Sequence, residues 1–341
     1  MRLKIYDASW LIHYGSKSVK YKDFVFAGYP LGGIKFLVKN IAEEIYKNND
    51  IIVCFDSPTD KNTILPGYKK GRPHEAYIVS QSTFAFNMLS KSGISCFKLD
   101  NYEADDLIAS VVSKYRNAYS DITIISNDRD LAHNVFNNVK IEACSLDGID
   151  INPSNFVVSA GKQPVEYNTI SAFKVLTGDS SDKISSFRSE NGMLGKDIYR
   201  KYLLFGKENL KPDTIRPFLF SRKDVFLFFL KNQMNLTKND FAELTRRIQV
   251  IFPRETKDVP EASSERNIIL KELAKLLSVL QEDIQLKQLH LDKVRLTTEE
   301  FNSFKAGAQV LRDGTFAVDN DCPIHSSFFG EEEAVNMRLF D

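Results

Sequence analysis

The chain has 341 residues, 43% hydrophobic and 26% charged, with 45 Lys and Arg against 45 Asp and Glu and so no net charge. That length and apolar share describe a globular protein with a real core, built as one large domain with appendages or as two domains. No apolar run approaches a membrane span, and Met1-Arg2-Leu3-Lys4 opens no signal-peptide region, so a soluble protein in the cytoplasm with no membrane partner is expected. The four cysteines (Cys54, Cys96, Cys144, Cys322) and five histidines are too scattered for a zinc site, and the cysteines read as reduced thiols.

In chain order, Leu3 to Asp7 predicts a short buried strand ending in an acid. Ile34, Leu37, Val38, Ile41 and Ile45 repeat at helical spacing, and Asn48-Asn49-Asp50 closes that helix. Ile51 to Asp56 is a second apolar strand, again ending in Asp. Pro66-Gly67-Tyr68-Lys69-Lys70-Gly71-Arg72-Pro73 is a punctuated loop with three cations. A helix is predicted over residues 74–91, ended by Gly93, and a short strand from Ile94 to Leu99.

Glu103, Asp105 and Asp106 then crowd the first turn of a helix whose Leu107, Ile108, Val111 and Val112 face a core. Negative charge there is favoured by the helix dipole. On the helix Glu103 and Asp106 share a face while Asp105 swings aside, so one helix end offers oxygens to two cations. Ile122 to Ser126 is another buried strand with Asn127-Asp128-Arg129-Asp130 at its end, and Val139 to Ala143 is one more. A helix over residues 165–178 runs into Gly178-Asp179-Ser180-Ser181-Asp182. Residues 190–300 read as helical, with Leu273, Leu276, Leu277, Leu280 and Ile284 on one amphipathic face, and residues 313–341 as a flexible tail.

Apolar strands alternating with helices predict an α/β fold with a parallel sheet covered on both faces. Such sheets place their sites at the carboxyl ends of the strands. The neutral net charge hides segregation. From Gly192 to Arg247 there are twelve Lys and Arg against six Asp and Glu, and Lys61 to Arg72 carries four cations and no acid. Separated basic and acidic regions suit an enzyme that holds a polyanion beside metal ions.

Asp7, Asp56, Glu103, Asp105, Asp106, Asp128, Asp130, Asp179 and Asp182 all fall at strand ends or helix starts. So many carboxylates repel one another unless cations neutralise them. Oxygen ligands suit Mg²⁺ or Mn²⁺ rather than zinc, and two such ions about 4 Å apart serve phosphodiester hydrolysis. Alone, the acidic helix start is equally a capped terminus, and Lys69, Lys70 and Arg72 equally a solvated loop. The recurrence of acids at five spaced places favours the metal centre.

Tyr102-Glu103-Ala104-Asp105-Asp106, Ser126 to Asp130 as Ser-x-Asp-x-Asp, Gly178-Asp179-x-x-Asp182 and the Tyr68-Lys69-x-x-Arg72 loop together resemble the flap endonuclease/5′-nuclease family. The stretch after Asp182 looks like the T-even phage RNase H branch of it. The resemblance is specific over residues 1–185, loose to about 300 and absent from the tail. It implies a PIN-like sheet flanked by helices over residues 1–185, a helix-hairpin-helix-like duplex-binding region over 186–305, and a flexible tail over 306–341.

The resemblance further implies Mg²⁺-dependent hydrolysis from 5′ ends of DNA and RNA–DNA duplexes, including primers and flaps, in the host cytoplasm if phage-encoded. Asp7, Asp56, Glu103 and Asp105 would hold a first ion. Asp105, Asp128, Asp130 and Asp182 would hold or surround a second, with Asp106 and Asp179 in the outer shell and Mn²⁺ able to substitute. Lys69 and Arg72 would act at the scissile phosphate, Lys70 would contact nucleic acid, and Tyr68 would stack on the terminal base. A single-strand-binding protein is a further expected partner.

Two departures stand out. Where the family has a compact Gly-x-Gly turn for duplex phosphates and often potassium, this chain has Gly192-x-x-Gly195, which leaves a K⁺ site open. Its amides, with Lys196, Arg200 and Lys201, are the expected phosphate contacts. Lys183 and Asn127 replace the more usual Asn and Gly. The ending Asn336-Met337-Arg338-Leu339-Phe340-Asp341 resembles sliding-clamp peptides, with Met337, Leu339 and Phe340 as the contact residues; the alternative is that they pack on the protein itself. A PIN-like endoribonuclease and a non-catalytic, clamp-tethered DNA-binding accessory are the other readings.

Overall fold

A computed structural model describes residues 2–262 other than 23, 27–28, 46–48, 72–75, 92, 144–149, 154–156, 161–162 and 212–215. The elements in chain order are β1 (Arg2–Asp7), α1 (Ala8–Lys17), β2 (Val25–Phe26), β3 (Tyr29–Pro30), α2 (Gly32–Ile45), β4 (Asp50–Cys54) and α3 (Lys61–Ile64). They continue with α4 (Ala76–Lys91), β5 (Ser95–Phe97), α5 (Ala104–Tyr115), β6 (Asp121–Ile125), a 3-10 turn (Arg129–Asn134) and β7 (Val139–Glu142). Then come β8 (Val157–Ala160), β9 (Gln163–Glu166), a 3-10 turn (Tyr167–Thr169) and α6 (Ile170–Thr177). The described helices end with α7 (Gly195–Asn209), α8 (Arg216–Phe220), α9 (Lys223–Gln233) and α10 (Lys238–Ile251). The class is α/β, with five parallel strands flanked by helices. Among the described residues no helix is long and apolar enough to cross a membrane.

The chain forms two compact units. The first takes Met1–Asp56, His74–Lys98 and residues 258–262. Its strands β5, β4 and β1 pair in parallel in that order, with Ile5 opposite Ile52 and Asp7 opposite Cys54, while β2 and β3 form a separate antiparallel pair. Leu3, Ile5 and Ile52 are fully buried, as strands covered on both faces require. α1, absent from the predicted elements, starts at Asp7, whose carboxylate accepts the Trp10 N–H at 3.0 Å. Its buried face carries Ala8, Leu11, Ile12, Gly15 and Ser16, and small residues hid the apolar period. A Cβ on Gly15 would lie 2.6 Å from the Phe36 Cβ, and one on Gly33 2.4 Å from the Ile12 carbonyl oxygen, so α1 and α2 cross through glycines. The fully buried Gln81 of α4 links them, accepting from the Ile34 N–H and donating to Ser16 Oγ.

The second unit takes Ser57–Pro73 and Leu99–Lys257. β6 and β7 pair in parallel, Ile122 opposite Val139, and α5 buries Leu107, Ile108 and Val111. The sequence predicted one helix over residues 165–178; the chain instead pairs β8 with β9 through Glu166 and becomes α-helical only at Ile170. Pro164 sits in that hairpin, where its missing N–H and fixed φ would break a helix. The helical region resolves into α7 to α10 around an aromatic cluster. The Tyr202 ring lies 4.9 Å from Phe226, 5.1 Å from Phe229 and 5.2 Å from Phe220. The predicted helix near residues 273–284 and the tail lie outside the described residues.

Candidate metal centre and basic loop

The acid-rich start of α5 forms as the spacing predicts, but its acids divide their work. Asp106 is fully buried. It accepts from the Glu103 N–H at 3.0 Å, the Arg254 N–H at 2.8 Å and the Lys61 ammonium at 2.9 Å. A carboxylate so saturated is a framework group that caps the helix and ties down the chain beyond α10. For this residue the plain capping explanation holds, and Asp106 also lines the small cavity that holds the other acids.

Glu103 faces three donors. Its Oε2 accepts from Lys61 Nζ at 2.7 Å and from the Tyr68 hydroxyl at 3.1 Å, and its Oε1 from Lys69 Nζ at 2.5 Å. Burial alone would raise the Glu103 pKa, but the Lys69 and Lys61 ammonium groups outweigh it and hold the carboxyl at about 2. The same pairing raises the Lys61 and Lys69 pKa values against their own burial.

On the far side, Asp130, Asp179 and Asp182 bring carboxylate oxygens within 4.8 Å of one another. Lys174 of α6 bridges Asp130 and Asp179. Burial, then the neighbouring Asp128, raise the Asp130 pKa despite Lys174. Asp179 goes the other way: burial opposes ionisation, but Lys174 and Ser181, which donates twice to Oδ1, lower its pKa. Asp128 holds its turn by accepting the Asp130 N–H at 2.9 Å. Asp105 and Asp128 line the same small cavity, of about 70 Å³, as Glu103, Asp130, Asp182 and the three lysines. The acids there outnumber the lysines, and their carboxylates offer oxygen ligands, a donor set that fits a hard divalent cation.

Asp7 and Asp56 belong to the other unit, at the carboxyl ends of adjacent strands. Asp7 is almost wholly buried and caps α1; Asp56 is exposed, and its N–H donates to Ser9 Oγ at 3.0 Å.

The basic loop is anchored to the acids. Lys69 adopts a left-handed backbone (φ +52°), and its N–H donates to the Asp182 carbonyl at 2.9 Å. Tyr68 does not stand free to stack on a base. It is 7% exposed, packs against Ile184 and Val250, and directs its hydroxyl at Glu103. An aromatic ring beside a glycine loop looks exposed in sequence; apolar neighbours distant in the chain bury it. Lys70 is exposed. Arg72, like Met337, Leu339 and Phe340, lies outside the described residues.

The two glycines after Asp182 are also otherwise engaged. Gly192 (φ +80°) donates its N–H to the Ser189 carbonyl and Gly195 to the Phe187 carbonyl, both at 2.9 Å. A Cβ at Gly195 would lie 1.9 Å from the Leu176 oxygen, so this glycine serves close packing of α7 on α6. Their amides are therefore not open phosphate donors. Lys196, Arg200 and Lys201 are exposed on α7, with Arg200 also pairing with Asp197 at 3.1 Å.

Sequence reasoning missed Lys61 and Lys174 as members of the site. Lys174 carried a signal, a single cation in the apolar helix that leads directly to Asp179. Lys61 carried none beyond its place in the basic segment, because its partners are 42 and 45 residues away.

Residues 11–159 match the model of the 5′-3′ exonuclease N-terminal, resolvase-like domain. A 5′-3′ exonuclease of Buchnera aphidicola subsp. Schizaphis graminum is 31% identical over 163 residues, 46% of this chain and 55% of that protein. A 5′-3′ exonuclease of Aquifex aeolicus is 28% identical over 185 residues, 51% of this chain and 61% of that one. The chain thus spans little more than half of these relatives. Among solved structures, T5 D15 protein co-crystallized with metal ions aligns at 15% identity and a TM-score of 0.47, over 91% of this chain and 100% of that one.

Proposed function

We propose, from the match of residues 11–159 to the 5′-3′ exonuclease N-terminal, resolvase-like domain, that this protein is a structure-specific 5′ nuclease. The reaction is hydrolysis of phosphodiester bonds from the 5′ ends of DNA and RNA–DNA duplexes, with removal of RNA primers and flaps as in the phage branch of the family. The observation that carries the reading is the convergence of Asp130, Asp179 and Asp182 within 4.8 Å, beside Glu103 and Lys69.

Two Mg²⁺ ions, replaceable by Mn²⁺, are the proposed cofactors, and within this unit Glu103, Asp105, Asp128, Asp130, Asp179 and Asp182 are the acids available to hold them. When bound, such ions supply positive charge to the phosphate oxygens and raise the acidity of water. The chain's own residues do the rest. Lys61 and Tyr68 fix the Glu103 carboxylate, and Lys174 holds Asp130 and Asp179 against their mutual repulsion. Lys69 presents a cation at the rim of the acids, placed to orient a phosphodiester and to stabilise charge as it develops. Lys196, Arg200 and Lys201 are proposed to contact the duplex backbone.

The peptide with Met337, Leu339 and Phe340 is proposed to dock on a sliding clamp. Deleting residues 331–341 should then abolish stimulation by the clamp and leave basal cleavage intact.

The test is cleavage of a 5′-labelled flap and of an RNA-primed duplex, in Mg²⁺ and in EDTA. Release of short 5′ products only with metal supports the reading. Tight binding of both substrates with no cleavage would favour a non-catalytic DNA-binding accessory.

A further inference from the structure

The second unit holds a larger cavity, about 650 Å³, between α5, the 3-10 turn after β6, α8, α9 and the chain beyond α10. It is a place apart from the carboxylate cluster, though His133 and Pro253 line both. Arg116, Arg222, Lys223 and Arg254 line it against Asp224 and Glu255, an excess of cations in a chain with no net charge. Asp224 pairs with Arg222 at 2.8 Å, and Arg254 with Asp60 at 2.7 Å. Among the described residues Arg116 and Lys223 have no carboxylate partner. Partial burial, then Arg254, hold the Lys223 pKa below the ordinary lysine value.

The cavity also offers a stacking surface and hydrogen-bonding groups. The Arg116 guanidinium lies 4.0 Å from the centre of the Phe218 ring, a stacked cation that can carry a planar ligand on its other face. His133 Nδ1 lies 2.6 Å from the Asp130 carbonyl, so Nδ1 carries the proton and Nε2 is left as an acceptor. That Nε2 and the neighbouring Asn134 Nδ2, a donor, are both buried without a hydrogen-bond partner. Unmatched buried polar groups are uncommon, and both residues line this cavity, so a ligand that reaches them can supply the missing partners.

We propose that this cavity binds a mononucleotide, with its phosphate at Arg116 and Lys223 and its base against the Phe218–Arg116 stack and the His133–Asn134 edge. A volume of this size suits a ligand of one base, one sugar and one phosphate. The inference does not rest on the nuclease reading: a chain inactive in cleavage binds equally well. A free 5′-mononucleotide and the phosphorylated end of a strand present the same chemistry.

Isothermal titration of the full chain in EDTA with 5′-dAMP, deoxyadenosine and inorganic phosphate tests it. Saturable binding of 5′-dAMP is expected, with the two fragments about tenfold weaker or more. Arg116→Gln with Lys223→Gln weakens 5′-dAMP by about tenfold or more, and Asp130→Asn leaves it unchanged. Should the double variant fold poorly, the exposed Lys223→Glu serves alone. A 5′-phosphorylated dinucleotide that competes as well as 5′-dAMP identifies a strand end as the source; one that does not identifies the free nucleotide. No saturable binding of 5′-dAMP, or binding untouched by the Arg116 and Lys223 substitutions, would overturn the assignment.

Discussion

The Lys61 ammonium lies 2.9 Å from Asp106 Oδ2, and the two side chains are 4% and 0% exposed. A buried charge pair of this kind is costly to break from one side. Lys61→Met leaves Asp106 without its counter-charge and should cost about 3–5 kcal/mol, read by chemical denaturation. Lys61→Arg should recover much of that loss. A neutral effect of Lys61→Met on stability would mean that the pair does not hold this part of the fold.

The acids should separate by role. Asp106→Asn weakens the helix cap and the Lys61 pair, so it lowers stability. Asp130→Asn relieves crowding with Asp128 and Asp179 and should change stability by less than about 1 kcal/mol. Saturating Mg²⁺ should raise the stability of the wild type, by about 2.7 kcal/mol at a hundredfold excess over Kd, and raise Asp130→Asn much less. Equal stabilisation of both by Mg²⁺ would place the ion elsewhere.

Lys69→Ala should slow flap cleavage by on the order of 10²–10³, the usual loss when a single preorganised donor to developing charge is removed. The measurement is the single-turnover rate at saturating Mg²⁺. A rate within a factor of two of wild type would remove Lys69 from the chemistry.

Tyr68 distinguishes two ideas with one atom. Tyr68→Phe deletes the hydroxyl that touches Glu103 and should cost about 1 kcal/mol, with a several-fold loss in rate. A ring that stacked on a base would keep its function in Tyr68→Phe, so a silent variant would restore the stacking role expected from sequence.

Gly195→Ala forces a methyl against the Leu176 carbonyl and should destabilise by about 2 kcal/mol or more. If Gly195 instead served phosphate binding, stability would stand and only duplex affinity would fall.

Much of this site was legible because acids recur where strands end. β1, β4 and β6, the start of α5 and the turn from Gly178 to Asp182 each form near their predicted places. What the sequence withheld depends on contacts between distant residues. The burial of Tyr68 comes from Ile184 and Val250, and the saturation of Asp106 from Lys61 and from the Arg254 N–H, 148 residues away. α1 was hidden for a different reason: its inner face is made of small residues that pack through glycine rather than of a bulky apolar stripe.

The measurement that tests the metal centre most directly is Mn²⁺ uptake by the full chain, followed by loss of the free-ion electron paramagnetic resonance signal. Wild type should take up Mn²⁺ saturably, with Mg²⁺ competing for it, and Asp130→Asn with Asp182→Asn should lose at least one of the bound ions. Identical uptake by the wild type and the double variant would contradict the account.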